Sequence, residues 1–256
     1  MLNLHQVDQA ITDFLTNNPL NCVEELGGLR IFDAPLLGVA NSDDPLFARM
    51  KEQVAVGPQH MSPMEWLADA KAVVSYFLPF SLAVRKANRQ DGLPAKEWLY
   101  GRIEGEALNN ALRRFLTDFF IQAGYQAVSP VLDQRFTVVQ RRSNWSERHV
   151  AFIAGLGTFS LSRSFITKCG SAGRLGSVVV NLALEPTLRY YKSIDENCAH
   201  CGSCIPRCPP LAIDENGKDN AICSTYLDTI KDMFRPRYGC GKCQTGVPCE
   251  DQIPGK

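Results

Sequence analysis

The sequence lacks any apolar run of the roughly 18–20 residues needed to cross a membrane, which excludes a spanning helix. It also lacks net charge. Its 27 Lys and Arg balance 27 Asp and Glu over 256 residues, which excludes bulk electrostatic attraction to nucleic acid. The opening Met1-Leu-Asn-Leu-His-Gln6 has neither the basic nor the apolar segment of a secretory signal, so a cytoplasmic protein is expected. There is no internal repeat and no low-complexity tract. What is present, 45% hydrophobic and 21% charged residues, suffices for one large domain or two modest ones.

Residues 1–190 read as a mixed α/β domain. Leu4, Val7, Ile11, Phe14 and Leu15 recur at helical spacing. Asp44-Pro45 caps a helical stretch over 46–55, and Ser62-Pro-Met-Glu65 is a capping box for a helix reaching Ala70. Ala72–Pro79 is an apolar, β-branched run that predicts a buried strand. Residues 95–123 form the longest helical pattern, with Trp98, Ile103, Ala107, Ala111, Phe115, Phe119 and Phe120 as its apolar face and Gly124 as its stop. Strands are expected near 125–128 and 136–139, a helix from Ser146 to Ile153, and a further strand over 175–184.

The ten cysteines are distributed unevenly: Cys22 and Cys169 stand alone, and eight lie between Cys198 and Cys249. Reducing conditions disfavour a disulfide framework, so the cluster reads as metal-binding and the two lone thiols as small buried hydrophobes. Cys198-Ala-His-Cys201-Gly-Ser-Cys204-Ile-Pro-Arg-Cys208-Pro209 has the C-x2-C-x2-C-x3-C-P spacing of bacterial ferredoxins. Two-residue spacers let three thiolates reach one cubane, and the fourth cysteine turns toward a second. Cys223, Cys240, Cys243 and Cys249 complete the count for two [4Fe–4S] clusters. The expected sets are Cys198, Cys201, Cys204 with Cys249, by symmetry, and Cys208 with Cys223, Cys240 and Cys243. Zinc is the rival ion for C-x2-C pairs. Residues 191–256 thus read as a ferredoxin-like unit. From residue 192 on, eight Lys and Arg against nine Asp and Glu give no acidic docking face, so electrons are expected to pass into the first domain.

Arg148-His-Val-Ala-Phe-Ile-Ala-Gly155-Leu-Gly157-Thr-Phe-Ser160, followed by Gly173-Arg-Leu-Gly176-Ser-Val-Val-Val-Asn181 and the cysteine module, resembles the core of epoxyqueuosine reductases and their reductive-dehalogenase relatives. Leu67–Phe80 and Pro130-Val-Leu132 resemble further segments, so the likeness covers roughly residues 60–252. It implies an α+β protein: a nitroreductase-like domain holding cobalamin, with flavin as the alternative occupant, followed by the two-cluster domain that reduces it. Carried over residue by residue, Gly155, Leu156, Gly157, Thr158, Gly173, Arg174, Leu175, Gly176 and Ser177 would line the cofactor pocket, since glycines admit close approach of a flat ligand. The alternative is that these glycines serve tight turns and packing. Tyr100 and Arg102 are candidate polar groups near the pocket.

Several positions depart from the family pattern. Ala127 stands where the reductases carry a proton-donating aspartate, and an aliphatic side chain donates no proton. Thr158 and Leu161 replace the usual Trp and Lys, and Cys243 and Cys249 are separated by five residues rather than three. The chain ends at Lys256 without the extension with which the tRNA-modifying enzymes hold RNA, and Arg135, Arg141, Arg142 and Arg148 read as a solvated face, so tRNA is disfavoured. The expected activity is reduction of an organic substrate or C–X bond, fed by a ferredoxin- or flavodoxin-type donor. The alternatives are an electron carrier to a corrinoid protein or a shortened epoxyqueuosine-tRNA reductase.

Overall fold

The computed structural model describes residues 2–255 as a mixed α/β protein. Seven α-helices run in chain order: α1 (Leu4–Asn17), α2 (Pro45–Arg49), α3 (Pro63–Trp66), α4 (Leu82–Ala87), α5 (Lys96–Gln122), α6 (Glu147–Ile153) and α7 (Asn220–Phe234). The main sheet has four strands, labelled β1 (Leu36–Asn41), β2 (Ala72–Pro79), β3 (Ala127–Val128) and β4 (Gly173–Val180). Its order is β1-β2-β4-β3, and every pairing is antiparallel. Val74 of β2 lies opposite both Val39 and Val178, which fixes the register across the sheet.

All eight residues of β2 are buried, although antiparallel strands often keep one wet face. Helices cover both faces here. Val74, Tyr76, Leu78, Val178 and Val180 pack with α1 and α5, whereas Val73 and Val179 pack with Phe47, Trp66, Trp145, Val150 and Ile153. The uninterrupted apolar run of β2 follows from that double cover.

The long helix matches its expected span, but its core face is rotated from the expected one. The buried stripe is Trp98, Gly101, Gly105, Leu108, Leu112, Leu116 and Phe120, while Ala107 is exposed. Two glycines sit in that stripe because Phe32 and Phe80 press on the helix; a Cβ on Gly105 would stand 2.9 Å from Phe32. The helices near 46 and 63 are shorter than their patterns, and β1 and α7 lie outside the expected elements. Gly38 of β1 is required by packing, since a Cβ there would lie 2.3 Å from the Ala154 carbonyl.

Because β3 pairs only with Val179 and Val180, the rest of the β4 edge has no strand beside it. Side chains satisfy it instead. The Leu175 carbonyl accepts from Asn109 Nδ2 and from Arg113, both at 3.0 Å, and the Ser177 carbonyl accepts from Ser129 Oγ. Arg113, with a side chain only 2% exposed, also donates to Glu106 (2.8 Å), Asn110 (2.7 Å) and Glu147 (3.3 Å). Arg113→Ala would leave two carboxylates and a carbonyl without their cation. The expected cost is about 3–5 kcal/mol in urea unfolding, and Arg113→Met combined with Glu147→Leu should cost less than Arg113→Ala.

Candidate functional site

Residues 198–204 form a tight loop in which His200 and Gly202 adopt left-handed backbone angles of +47° and +71°. The loop is tied to the 157–167 hairpin. The Leu161 amide donates to Cys198 Sγ (3.4 Å), the Asn197 amide to Thr158 Oγ1 (2.9 Å), and Asn197 Nδ2 to the Ile166 carbonyl (3.1 Å). Cys198, Cys201, Cys204 and Cys249 line one cavity together with Leu161, Ile166, Val247 and Pro248. Burial pushes the Cys204 and Cys249 thiols up to about 11, so only a bound cation would hold them as thiolates at neutral pH.

Cys208, Cys223, Cys240 and Cys243 lie within electrostatic reach of one another. Cys208 is buried and its sulfur accepts from the Ala212 amide at 3.2 Å. Cys223 is supplied by α7, which Asp219 caps by accepting from the amides of Ala221 and Ile222. Gly241 turns at +65° against Trp98, where a Cβ would come within 1.9 Å of the ring. Cys204 also interacts with Cys243, so the two groups are neighbours. Among the described residues no three His, Cys, Asp or Glu side chains converge on a single-ion position.

The tail is anchored to the sheet domain by buried polar contacts. Glu250, with a side chain 4% exposed, accepts from Arg89 (2.8 Å), Arg85 (3.3 Å) and the Gly246 amide (2.7 Å). Lys242, 1% exposed, donates to the carbonyls of Asn88 and Gln90. The Ser171 amide donates to the Cys249 carbonyl at 2.9 Å, just before β4 begins.

The residues expected around a cofactor make close contacts within the protein. Gly155 ends α6 at +78° against Thr187 and Leu188; a Cβ on Gly157 would meet the Ile166 carbonyl at 2.0 Å. A Cβ on Gly173 would meet the Leu78 carbonyl at 2.4 Å, and one on Gly176 the Tyr76 ring at 2.3 Å. Leu156 packs over Gly38, Thr158 accepts from Asn197, and the Leu175 carbonyl serves Arg113. Ser177 accepts from Trp145 Nε1 and donates to Glu147. Of the nine, Arg174 presents a charged head, held beside Glu106 and the Arg102 carbonyl.

An open groove lies beside the hairpin, lined by Leu46, Met50, His149, Phe152, Arg189 and Tyr191 among others. His149, which from sequence reads as an ordinary helix-face residue, faces it. Its Nδ1 lies 2.7 Å from Ser146 Oγ and its ring packs 4.8 Å from Phe159. Burial, then the charge of Arg148, lowers its pKa to about 4. Its helical position gave no sign of this, since only the incoming 189–194 segment makes the groove.

No family model matches the chain. Among curated proteins, the epoxyqueuosine reductase of Bacillus subtilis (strain 168) is 27% identical over 204 residues, 74% of this chain and 50% of that protein. The chain is similar in sequence to curated epoxyqueuosine reductases. It spans about half the length of the curated relatives it matches over most of its own sequence. The solved Bacillus subtilis epoxyqueuosine reductase, with its catalytic aspartate loop swung out of the active site, superposes with a TM-score of 0.56 at 18% identity, covering 98% of this chain and 67% of that one. A reductive dehalogenase whose structure suggests a mechanism for B12-dependent dehalogenation gives 0.58 at 15% identity, covering 83% and 29%.

Next to the groove, His60 is 1% exposed, stacks on Trp145 and accepts from the Ser146 amide. Burial, then Lys51, lowers its pKa from 6.5 to about 4. The unfolded chain therefore binds a proton that the fold refuses, and stability is complete above pH 6.5 and falls as pH drops toward 4. His60 accounts for about 3 kcal/mol of that loss. Urea midpoints should fall from pH 7 to pH 4, and the slope should flatten in His60→Gln.

Proposed function

We propose that the chain is an iron–sulfur oxidoreductase that reduces an organic substrate with electrons carried on two [4Fe–4S] clusters and a bound corrinoid. The observation that carries this reading is the arrangement of the thiols: four surround one cavity, and four more gather beside it. A donor set spread around a volume suits a cubane better than a single tetrahedral ion, whose sulfurs sit about 2.3 Å from one point. Cys198, Cys201, Cys204 and Cys249 would hold one cluster; Cys208, Cys223, Cys240 and Cys243 would hold the other. When bound, the clusters supply single electrons and the corrinoid supplies low-valent cobalt chemistry.

The chain's own groups tune and shield these sites. The Leu161 and Ala212 amides point at cysteine sulfur and would favour added negative charge there. Leu161, Ile166, Val247 and Pro248 wall the first cavity against water. The glycines at 155, 157, 173 and 176 have protein atoms where a Cβ would stand, which supports a packing role for them. The groove at His149 and Phe152 is open, mostly apolar and adjacent to the hairpin that touches Cys198, and is the better place for the cofactor.

A second reading, an electron carrier to a separate corrinoid or flavin protein, is favoured by the missing acid. Ala127 lies in β3, paired with Val180. The nearby Asp133 is held by Arg135, whose hydrogen bonds keep its carboxyl below the usual carboxylate range, so it stays ionised and is no proton donor near pH 7. Anaerobically purified protein should carry about eight iron and eight sulfide, and Cys208→Ser about four of each. Zinc in place of iron overturns both readings. Corrin with turnover of a small organic substrate supports the reductase, epoxyqueuosine-tRNA turnover supports the tRNA enzyme, and reduction of an added corrinoid protein supports the carrier.

A further inference from the structure

Arg174 is the charged residue of β4's half-buried first segment. Its guanidinium donates to the Arg102 carbonyl (2.7 Å), and its Nε lies 3.5 Å from Glu106 without making a hydrogen bond. Arg102 of α5 reaches across to the tail, donating to Tyr238 Oη at 3.2 Å with its guanidinium 4.9 Å over that ring. Behind them Arg113 is paired with Glu106 and Glu147. The three guanidiniums interact with two carboxylates, which leaves one positive charge in excess. The Arg174 side chain is 19% exposed and Glu106 32%, so the group is deep yet open to solvent at one side.

A cation held so deep without a full counter-charge is costly, and an anion entering from solvent would relieve that cost. We infer that Arg174, Arg102 and Tyr238 form a binding site for the carboxylate group of a small organic molecule. The excess of one charge matches a monoanion, whereas a phosphate monoester dianion would leave the group negative. Guanidinium forks and a phenol hydroxyl supply planar donors suited to carboxylate oxygens. Burial, reinforced by Arg102, lowers the Arg174 pKa to about 9, as expected for a guanidinium short of negative partners. None of these residues lines the groove at His149, so the site stands whether or not the reductase reading holds.

Propionate, its neutral isostere propionamide, and inorganic phosphate would each be titrated into the full chain, purified under argon with its metal, and followed by ligand-observed proton NMR. Propionate should bind saturably and propionamide at least about tenfold more weakly, as should propionate to Arg174→Gln. Arg102→Gln should weaken propionate in the same direction, and phosphate should bind less tightly than propionate. Equal binding of propionate and propionamide, unchanged affinity in Arg174→Gln, or tighter phosphate binding overturns the inference. Metal content and circular dichroism report whether Arg174→Gln folds; if it does not, Arg102→Gln decides alone. Loss of the iron reading leaves this titration intact, so the two failures are distinguishable.

Discussion

Arg113 closes the stretch of the β4 edge that β3 leaves uncovered. The β4 strand must stay in register with β2 over eight residues, yet β3 covers only its last two. Exposed carbonyls at Leu175 and Ser177 would otherwise invite water or a foreign strand. One guanidinium reaches the Leu175 carbonyl, Glu106 of α5 and Glu147 of α6, so it joins the helices on opposite faces of the sheet. The hydrophobic cores on either side meet at this polar seam. The surplus charge beside it, at Arg174 and Arg102, follows from placing three arginines where two carboxylates suffice to fill the edge.

The cysteine-rich tail depends on that sheet rather than on a core of its own. Its buried apolar cluster is small, built on Cys208, Ala212 and Ile213. Glu250 and Lys242 instead clamp it to α4 and the loop that follows, and Ser171 holds Cys249 at the entrance to β4. Cys249 is thereby fixed against the same segment that positions the hairpin touching Cys198. Thiols distant in sequence are brought to one cavity by backbone hydrogen bonds to the sheet domain.

Much of the scaffold was legible because its signals are local. Ala72–Pro79 reads as a strand from β-branched and apolar residues, and the Ser62 capping box and the Gly124 stop mark real boundaries. Large apolar residues suggest a core face for α5 that is right at Trp98 and Phe120 but misses Gly101 and Gly105, which lie inward under Phe80 and Phe32. The glycines at 155, 157, 173 and 176 were ambiguous for a related reason. A glycine shows that a Cβ is excluded; it does not show whether a ligand or the protein's own backbone excludes it.

By itself the sequence determined the tight spacing of Cys198, Cys201, Cys204 and Cys208 and the main helices and strands, because each depends on neighbours only a few residues apart, and the neutral charge balance, which is a sum over the chain. Tertiary structure decided which thiols share a cavity with Cys249, how β4's open edge is satisfied, and why Arg174 meets Arg102 and Tyr238. Those juxtapositions join segments more than a hundred residues apart, or lie between a strand, a helix and a tail. Only the packing of the sheet against α5 and the docked cysteine segment brings them within hydrogen-bonding distance.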